Sequence, residues 1–252
     1  MPVQPGVPGG QTQLLANLQG ALAGYDFRST SPATNLGTGS TTHDLTGYGS
    51  IAQTASAQDQ ANRLTAGYAF DGSDDYLEGN SLTLGDFAAA DTGLIAVAAT
   101  ATNLSATRTI VAKRTSAASA GSPAGWEIEQ VITSGAIRAR VADGTTVNSP
   151  ITATGISAGV RFACALRLGA TGANGAKLYL LNTGDSTVYT STTSRASGTL
   201  VTSPSNEFRI GRLSGAGTAR FLGTVHQALV ITGRTPSDAE VNALLALLVS
   251  PV

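Results

Sequence analysis

Val160-Arg161-Phe162-Ala163-Cys164-Ala165-Leu166-Arg167-Leu168 alternates residue by residue. In an extended chain that rhythm sends Phe162, Cys164, Leu166 and Leu168 to one face. The stretch reads as a β-strand with one buried side, and the chain's one cysteine reads as a structural thiol within it. A single cysteine also excludes an internal disulfide.

The same short rhythm extends in both directions, interrupted by Gly, Ser, Asn and Asp, as in an all-β sandwich. Strands are expected over 24–28, 67–70, 76–78, 92–100, 109–113, 125–133, 136–142, 160–168, 176–182, 207–213 and 217–231. Asp143-Gly144 and Thr183-Gly184-Asp185 supply tight turns, and 30–66 and 114–124 read as long surface loops. Near the end, Thr235-Pro236-Ser237-Asp238 supplies an N-cap, a proline at the first helical position and a capping-box carboxylate. A helix over about 236–249 follows, with Val241, Leu244, Leu245 and Leu248 as its buried stripe. Residues 1–10 hold three of the nine prolines and three glycines, the composition of an extended arm. Leu14, Leu15, Leu18 and Leu22 then recur at helical spacing, marking a short amphipathic segment that packs on its own domain or docks on a neighbouring subunit. The chain divides into this arm and segment, 1–22, and one domain, 23–252.

Composition narrows the function classes. A chain of 252 residues fits one all-β domain. Apolar residues reach 42% and charged ones only 12%, about half the usual share, so the surface is built from Ser, Thr, Gly and Ala. The net charge is −1, and no Lys/Arg run is long enough to follow a phosphate backbone, so nucleic acid is not an expected partner. The longest apolar stretch, 241–249, is broken by Asn242 and falls short of the ~20 residues that span a bilayer. Met1-Pro2-Val3-Gln4-Pro5-Gly6 lacks the features of a secretory signal, and synthesis in a host cytoplasm without one is expected.

Several stretches, in order, resemble the concanavalin A-like lectin/glucanase superfamily in its laminin-G-like branch. They are Ala69-Phe70-Asp71-Gly72-Ser73-Asp74-Asp75-Tyr76-Leu77, Gly125-Trp126-Glu127-Ile128-Glu129, Lys177-Leu178-Tyr179-Leu180-Leu181-Asn182, Phe208-Arg209-Ile210-Gly211 and Phe221-Leu222-Gly223-Thr224-Val225. The resemblance implies an all-β, two-sheet antiparallel jelly-roll sandwich, here with an N-terminal arm and a short C-terminal helix. Its ligand sites lie in rim loops or in the concavity, and the fold serves lectins, hydrolases and structural modules alike.

Each chemical reading has a test in the residues. Glucanases of this superfamily line their cleft with three acids at alternate strand positions. Here Glu127 and Glu129 fill two, Val131 stands at the third, and Trp126 and Ile128 point to the other face. A solvated glutamate pair on an outer strand is the expectation, and no catalytic residue is assigned. His43 and His226 are the only histidines, without zinc-ligand spacing, and His226 is expected to be structural or on the surface. Some laminin-G-like domains bind calcium at the sheet rim, and Asp71, Asp74 and Asp75 form a compact oxygen-rich set that suits calcium or a turn held by side-chain to backbone bonds. Alternation puts Arg138 and Arg140 on one face of their strand and Arg161 and Arg167 on one face of another. An arginine-bearing sheet face of that kind would suit an acidic glycan or acidic neighbouring subunit.

The expected function is a non-enzymatic virion surface subunit of bacteriophage type, a capsid decoration protein or tail or head fibre component. It would assemble through its arm with other particle subunits and with itself, homotrimers being common in such assemblies, and would touch cell-surface glycans. A free carbohydrate-binding module of a bacterial surface or secreted protein is the alternative, and a glycoside hydrolase the remote one.

Overall fold

The computed structural model describes residues 21–26, 45–48, 52–53, 67–79, 83–88, 90–114, 124–132, 135–195, 200, 207–213 and 220–250. Among these residues sixteen strands run in chain order: β1 Ala21–Asp26, β2 Leu45–Tyr48, β3 Ala52–Gln53, β4 Tyr68–Asp71, β5 Tyr76–Gly79, β6 Gly93–Ala101, β7 Arg108–Lys113 and β8 Gly125–Gln130, then β9 Ala136–Ala142, β10 Val147–Asn148, β11 Ile151–Gly155, β12 Arg161–Leu168, β13 Gly172–Asn182, β14 Tyr189–Arg195, β15 Arg209–Ile210 and β16 Leu222–Thr232. The described helix α1, Asp238–Val249, follows.

All pairs between the strands are antiparallel, and they form two sheets that make an all-β, jelly-roll-like sandwich. Sheet I has the order β14-β13-β12-β6-β16-β4-β3, with β1 also on β16. β16 pairs with β6 along one side; on the other, Leu222–Val225 take β4 and Gln227–Ile231 take β1. Sheet II has the order β10-β9-β8-β7-β15-β5-β2, with β11 also on β9. The sheets face each other across the main core, to which β12 contributes Phe162, Cys164, Leu166 and Leu168, and β6 contributes Ile95, Val97, Ala99 and Ala101. The alternation in 160–168 therefore places its faces correctly, and burial pushes the Cys164 thiol above its ordinary pKa, the state of an inert thiol.

The opposite residues of sheet I, including Leu94, Ala96, Ala98, Ala163, Ala165 and Leu229, form a second core with Val241, Leu244, Leu245 and Leu248 of α1. Burying each leucine here stabilises the fold by about 2 kcal/mol. The small alanines let the helix lie close to the strands. Its start differs from the expected one by two residues. Ser237 is the N-cap, its hydroxyl accepting from the Glu240 N–H while the Glu240 carboxylate accepts from the Ser237 N–H; this reciprocal pair outcompetes Thr235 and Asp238 for those roles.

Other expectations shift as well. β2 and β3 lie within the expected loop 30–66. β10, β11 and β14 are additional strands, and β14, Tyr-Thr-Ser-Thr-Thr-Ser-Arg, alternates half-buried and exposed residues along the edge of sheet I. Leu22, expected to close the amphipathic segment, sits in β1, whose backbone pairs with β16. Leu14, Leu15 and Leu18 lie outside the described residues. Gly211 shows why Phe208-Arg209-Ile210-Gly211 needs its last residue: φ is +88° and a Cβ would come 2.4 Å from the Phe70 ring. No described helix is long and apolar enough to cross a membrane.

Candidate functional site

The outer face of sheet II carries a charged row set by strand register. Thr46 pairs with Glu78, Glu78 with Arg209, Arg209 with Ala112, Ala112 with Glu127 and Glu127 with Arg140. Their sequence neighbours Leu77, Val111, Ile128, Ala139 and Ile210 fill the main core, so the row faces outward by the period-2 rule. One step along, Glu129 pairs with Arg138. Arg209 donates from Nε to Glu78 at 2.7 Å and from Nη2 to Glu207 at 3.1 Å, and its guanidinium lies 5.2 Å from the Tyr76 ring centroid.

Glu127 and Glu129 correct the expectation of a solvated pair: they are 1% and 3% exposed. Arginines opposite them make this burial tolerable. Arg138 and Arg140 donate from Nε to Glu129 Oε1 at 2.5 and 2.8 Å, and Arg140 Nε lies 3.2 Å from Glu127 Oε1. Glu127 is still the strained member. Desolvation first, and the neighbouring Glu129 charge second, push its pKa up to about 7.

Sequence reasoning missed Arg114, which fell in the expected loop 114–124. Its Nη1 lies 3.8 Å from Glu127 Oε1, its side chain is fully buried, and none of its three guanidinium nitrogens has a hydrogen-bond partner among the described residues. Burial pushes its pKa below the ordinary arginine value, with Glu127 opposing. No signal in the local sequence distinguishes it from a solvated loop arginine. The centre of this face is thus closed, while Arg138, Arg140, Arg209 and Glu78 keep side-chain exposures of 21%, 16%, 13% and 20% and form its accessible part.

Arg161 and Arg167 do not join Arg138 and Arg140. They lie on sheet I, on the face that α1 covers, so no single arginine face exists. Arg161 is 4% exposed and donates to the Leu248 carbonyl and to Gln227 Oε1. Arg167 donates to the Pro236 carbonyl and to Asp238, which also accepts from Lys177 and Tyr179. These bonds, Lys177's foremost, hold the Asp238 carboxyl down at about 2. Both arginines fasten the helix to the sheet.

Asp71, Asp74 and Asp75 come together as expected, with carboxylate oxygens within 4.8 Å of one another. The set can coordinate a divalent cation such as calcium, for which six to eight oxygens are needed. It also makes a turn: Asp71 Oδ1 accepts from the Ser73 N–H at 2.6 Å and the Asp74 N–H at 3.2 Å, and Asp75 Oδ2 accepts from the Asp71 N–H at 2.9 Å. The bond from Ser73, above all, lowers the Asp71 pKa. Gly72, at φ +76°, is required by the turn, and a Cβ on it would meet Arg108 Nη1 at 2.7 Å. His226, expected to be structural or on the surface, is fully buried, with Nε2 2.9 Å from Thr100 Oγ1. His43 lies outside the described residues.

No protein-family model matches the chain, and no curated protein matches it in sequence. Solved structures match in fold. Domain 4 of AbnA, an extracellular GH43 arabinanase from Geobacillus stearothermophilus, solved in complex with arabinotriose, superposes with TM-score 0.60 at 14% identity, over 90% of this chain and 98% of that one. The binding domain of Paraclostridial Mosquitocidal Protein 1 gives 0.60 at 12% identity, over 90% of this chain and 52% of that one. The CBM40 of the Ruminococcus gnavus IT-sialidase, bound to α2,3-sialyllactose, gives 0.51 at 13% identity, over 66% of this chain and 86% of that one. At these identities the likeness establishes the concanavalin A-like, lectin-type fold.

Proposed function

We propose that this chain is a non-catalytic, lectin-like domain that binds a neutral glycan on the outer face of sheet II. The in-register row of paired acids and arginines carries the reading. Sugar hydroxyls donate and accept at once, and this face offers fixed acceptors on Glu78 beside fixed donors on Arg138, Arg140 and Arg209. Ion pairing already restrains these side chains, which lowers the ordering cost of binding. Four arginines, 114, 138, 140 and 209, stand against four glutamates, 78, 127, 129 and 207. That balance favours a neutral ligand over the acidic one suggested by unpaired arginines. The matched domains solved with arabinotriose and with sialyllactose support sugar binding on this fold.

Catalysis does not fit the same residues. A glycosidase needs an acid and a second carboxylate that both reach the sugar, whereas Glu127 and Glu129 are enclosed and face arginines. Calorimetric titration with arabinotriose and with 3′-sialyllactose tests the proposal. Saturable binding of the neutral sugar, weakened at least about tenfold in Arg138→Gln/Arg209→Gln, is the expected result. Equal binding by that variant, or no binding by the parent to any member of a broad glycan array, would sink it.

A second reading concerns deployment: the domain as a capsid decoration or fibre subunit on a virion surface, held in a homo-oligomer by residues 1–22. The Pro/Gly arm and Leu14, Leu15 and Leu18 motivate it. β1 begins at Ala21, so deleting residues 1–20 removes no described strand. The truncated chain is expected to fold but not to co-sediment with particles, and retained particle binding would overturn arm docking.

A further inference from the structure

We infer that the open end of sheet I's outer face is a second ligand site, shaped for a neutral sugar ring or similarly hydroxylated small molecule. It lies on the opposite side of the sandwich from the face proposed above and stands independently of that reading.

The site lies just past the C-terminal end of α1, where Gly159, Val160 and Thr183 are exposed. Asp238 anchors one end of α1 over Arg167 and Lys177, and the Leu248 carbonyl meets Arg161 at the other. The row Leu229, Ala96, Ala165, Tyr179 and, in the row after it, Ala98, Ala163 and Leu181 form an apolar core with α1. The next row runs Thr224, Thr100, Arg161, Thr183 by pairing of Thr224 with Thr100, of Thr100 with Arg161, and by the bond from the Thr183 N–H to the Arg161 carbonyl. Residue chemistry thus changes from alanine and leucine to threonine where the helix ends.

That row floors a cleft of about 390 Å³ whose wall is completed by Gly159, Val160 and His226. The size falls within the range of small-molecule sites, which are typically apolar with a few convergent polar groups. β16 bulges between Val225 and Gln227, and this extra residue turns the His226 imidazole under the row. Its bond to Thr100 Oγ1 fixes that hydroxyl. Bulges often re-aim a side chain in this way beside functional sites. Val160, 37% exposed, offers an apolar edge to the C–H face of a sugar, while three threonine hydroxyls in cross-strand register meet its oxygens.

The chain has two histidines, so His43→Gln leaves His226 as a lone imidazole reporter. The ¹⁵N-labelled protein is titrated with L-arabinose and with D-galactose. Saturable shifts are expected in the His226 imidazole and in the amides of Thr100, Thr183 and Thr224. They should be abolished in Val160→Trp, which fills the mouth, and weakened about tenfold in Thr183→Val. Both substituted positions are exposed, so folding is expected to survive in each. The absence of shifts in this row with either sugar, or unchanged affinity in both variants, overturns the inference. Amides of Arg138, Arg140 and Arg209 report the other face, so the two proposals fail separately.

Discussion

The two outer faces of the sandwich answer one problem differently. Alternation turns every second residue away from the main core. On sheet I the residues under the middle of α1 are apolar, Leu94, Ala96, Ala98, Ala163, Ala165 and Leu229 among them, and the amphipathic α1 is laid over them, with Arg161, Arg167 and Lys177 fastening its ends. On sheet II they are glutamates and arginines, which satisfy one another across strands. A helix lid is a packing solution and tolerates pH; a buried charge lattice depends on every partner being present and on which groups hold protons.

Substitutions can break each side of this contrast. Leu245→Ala under the lid empties a fully enclosed position and is expected to cost about 4 kcal/mol in urea unfolding. Arg140→Ala in the lattice leaves Glu127 and Glu129 buried without a shared counterion. The cost should be about 3 kcal/mol, toward the lower end of the usual range, because Arg140 keeps 16% exposure. Unlike the Leu245 effect, it should shrink as pH falls and Glu127 gains a proton. The third test is the pH profile itself. The Glu127 pKa is about 7 in the fold against an ordinary 4.5, so the native state binds the extra proton between these limits. The contribution of this group therefore makes the fold more stable as pH falls from about 7 to about 4.5, with its full penalty above 7. Glu127→Gln is expected to flatten that slope, and an unchanged slope would place the titration elsewhere. Smallest is Ser237→Ala, which removes the α1 N-cap and should cost about 1 kcal/mol while leaving the sheet II profile unaltered.

This contrast also marks what the residues announce in advance. Alternation exposes β6, β9, β12 and β13 because large apolar side chains recur at every second position. β14 escapes it, since its half-buried positions are Ser, Thr and Tyr, and an edge strand needs no apolar stripe. Alternation likewise puts Glu127 and Glu129 opposite Trp126 and Ile128, but it cannot tell water from arginine on the far side. That depends on register between β8 and β9, a non-local quantity. Arg114 is hidden for the same reason, and the threonine row of sheet I becomes a row only when β6, β12, β13 and β16 are aligned. The acidic turn at 71–75, being local, was readable from its own residues.

β16 has one further consequence, for the birth of the molecule. It is the last of the described strands to leave the ribosome, yet it lies between β6 on one side and β4 and β1 on the other. Until it arrives, β6 presents a bare edge, β1 has no partner and the β3–β4 pair is cut off from the rest of sheet I. Such long-range closure is slow, and unpaired edges invite association between chains. A nascent chain stopped before Leu222 would therefore carry every strand of sheet II facing a sheet I left open and adhesive at β6.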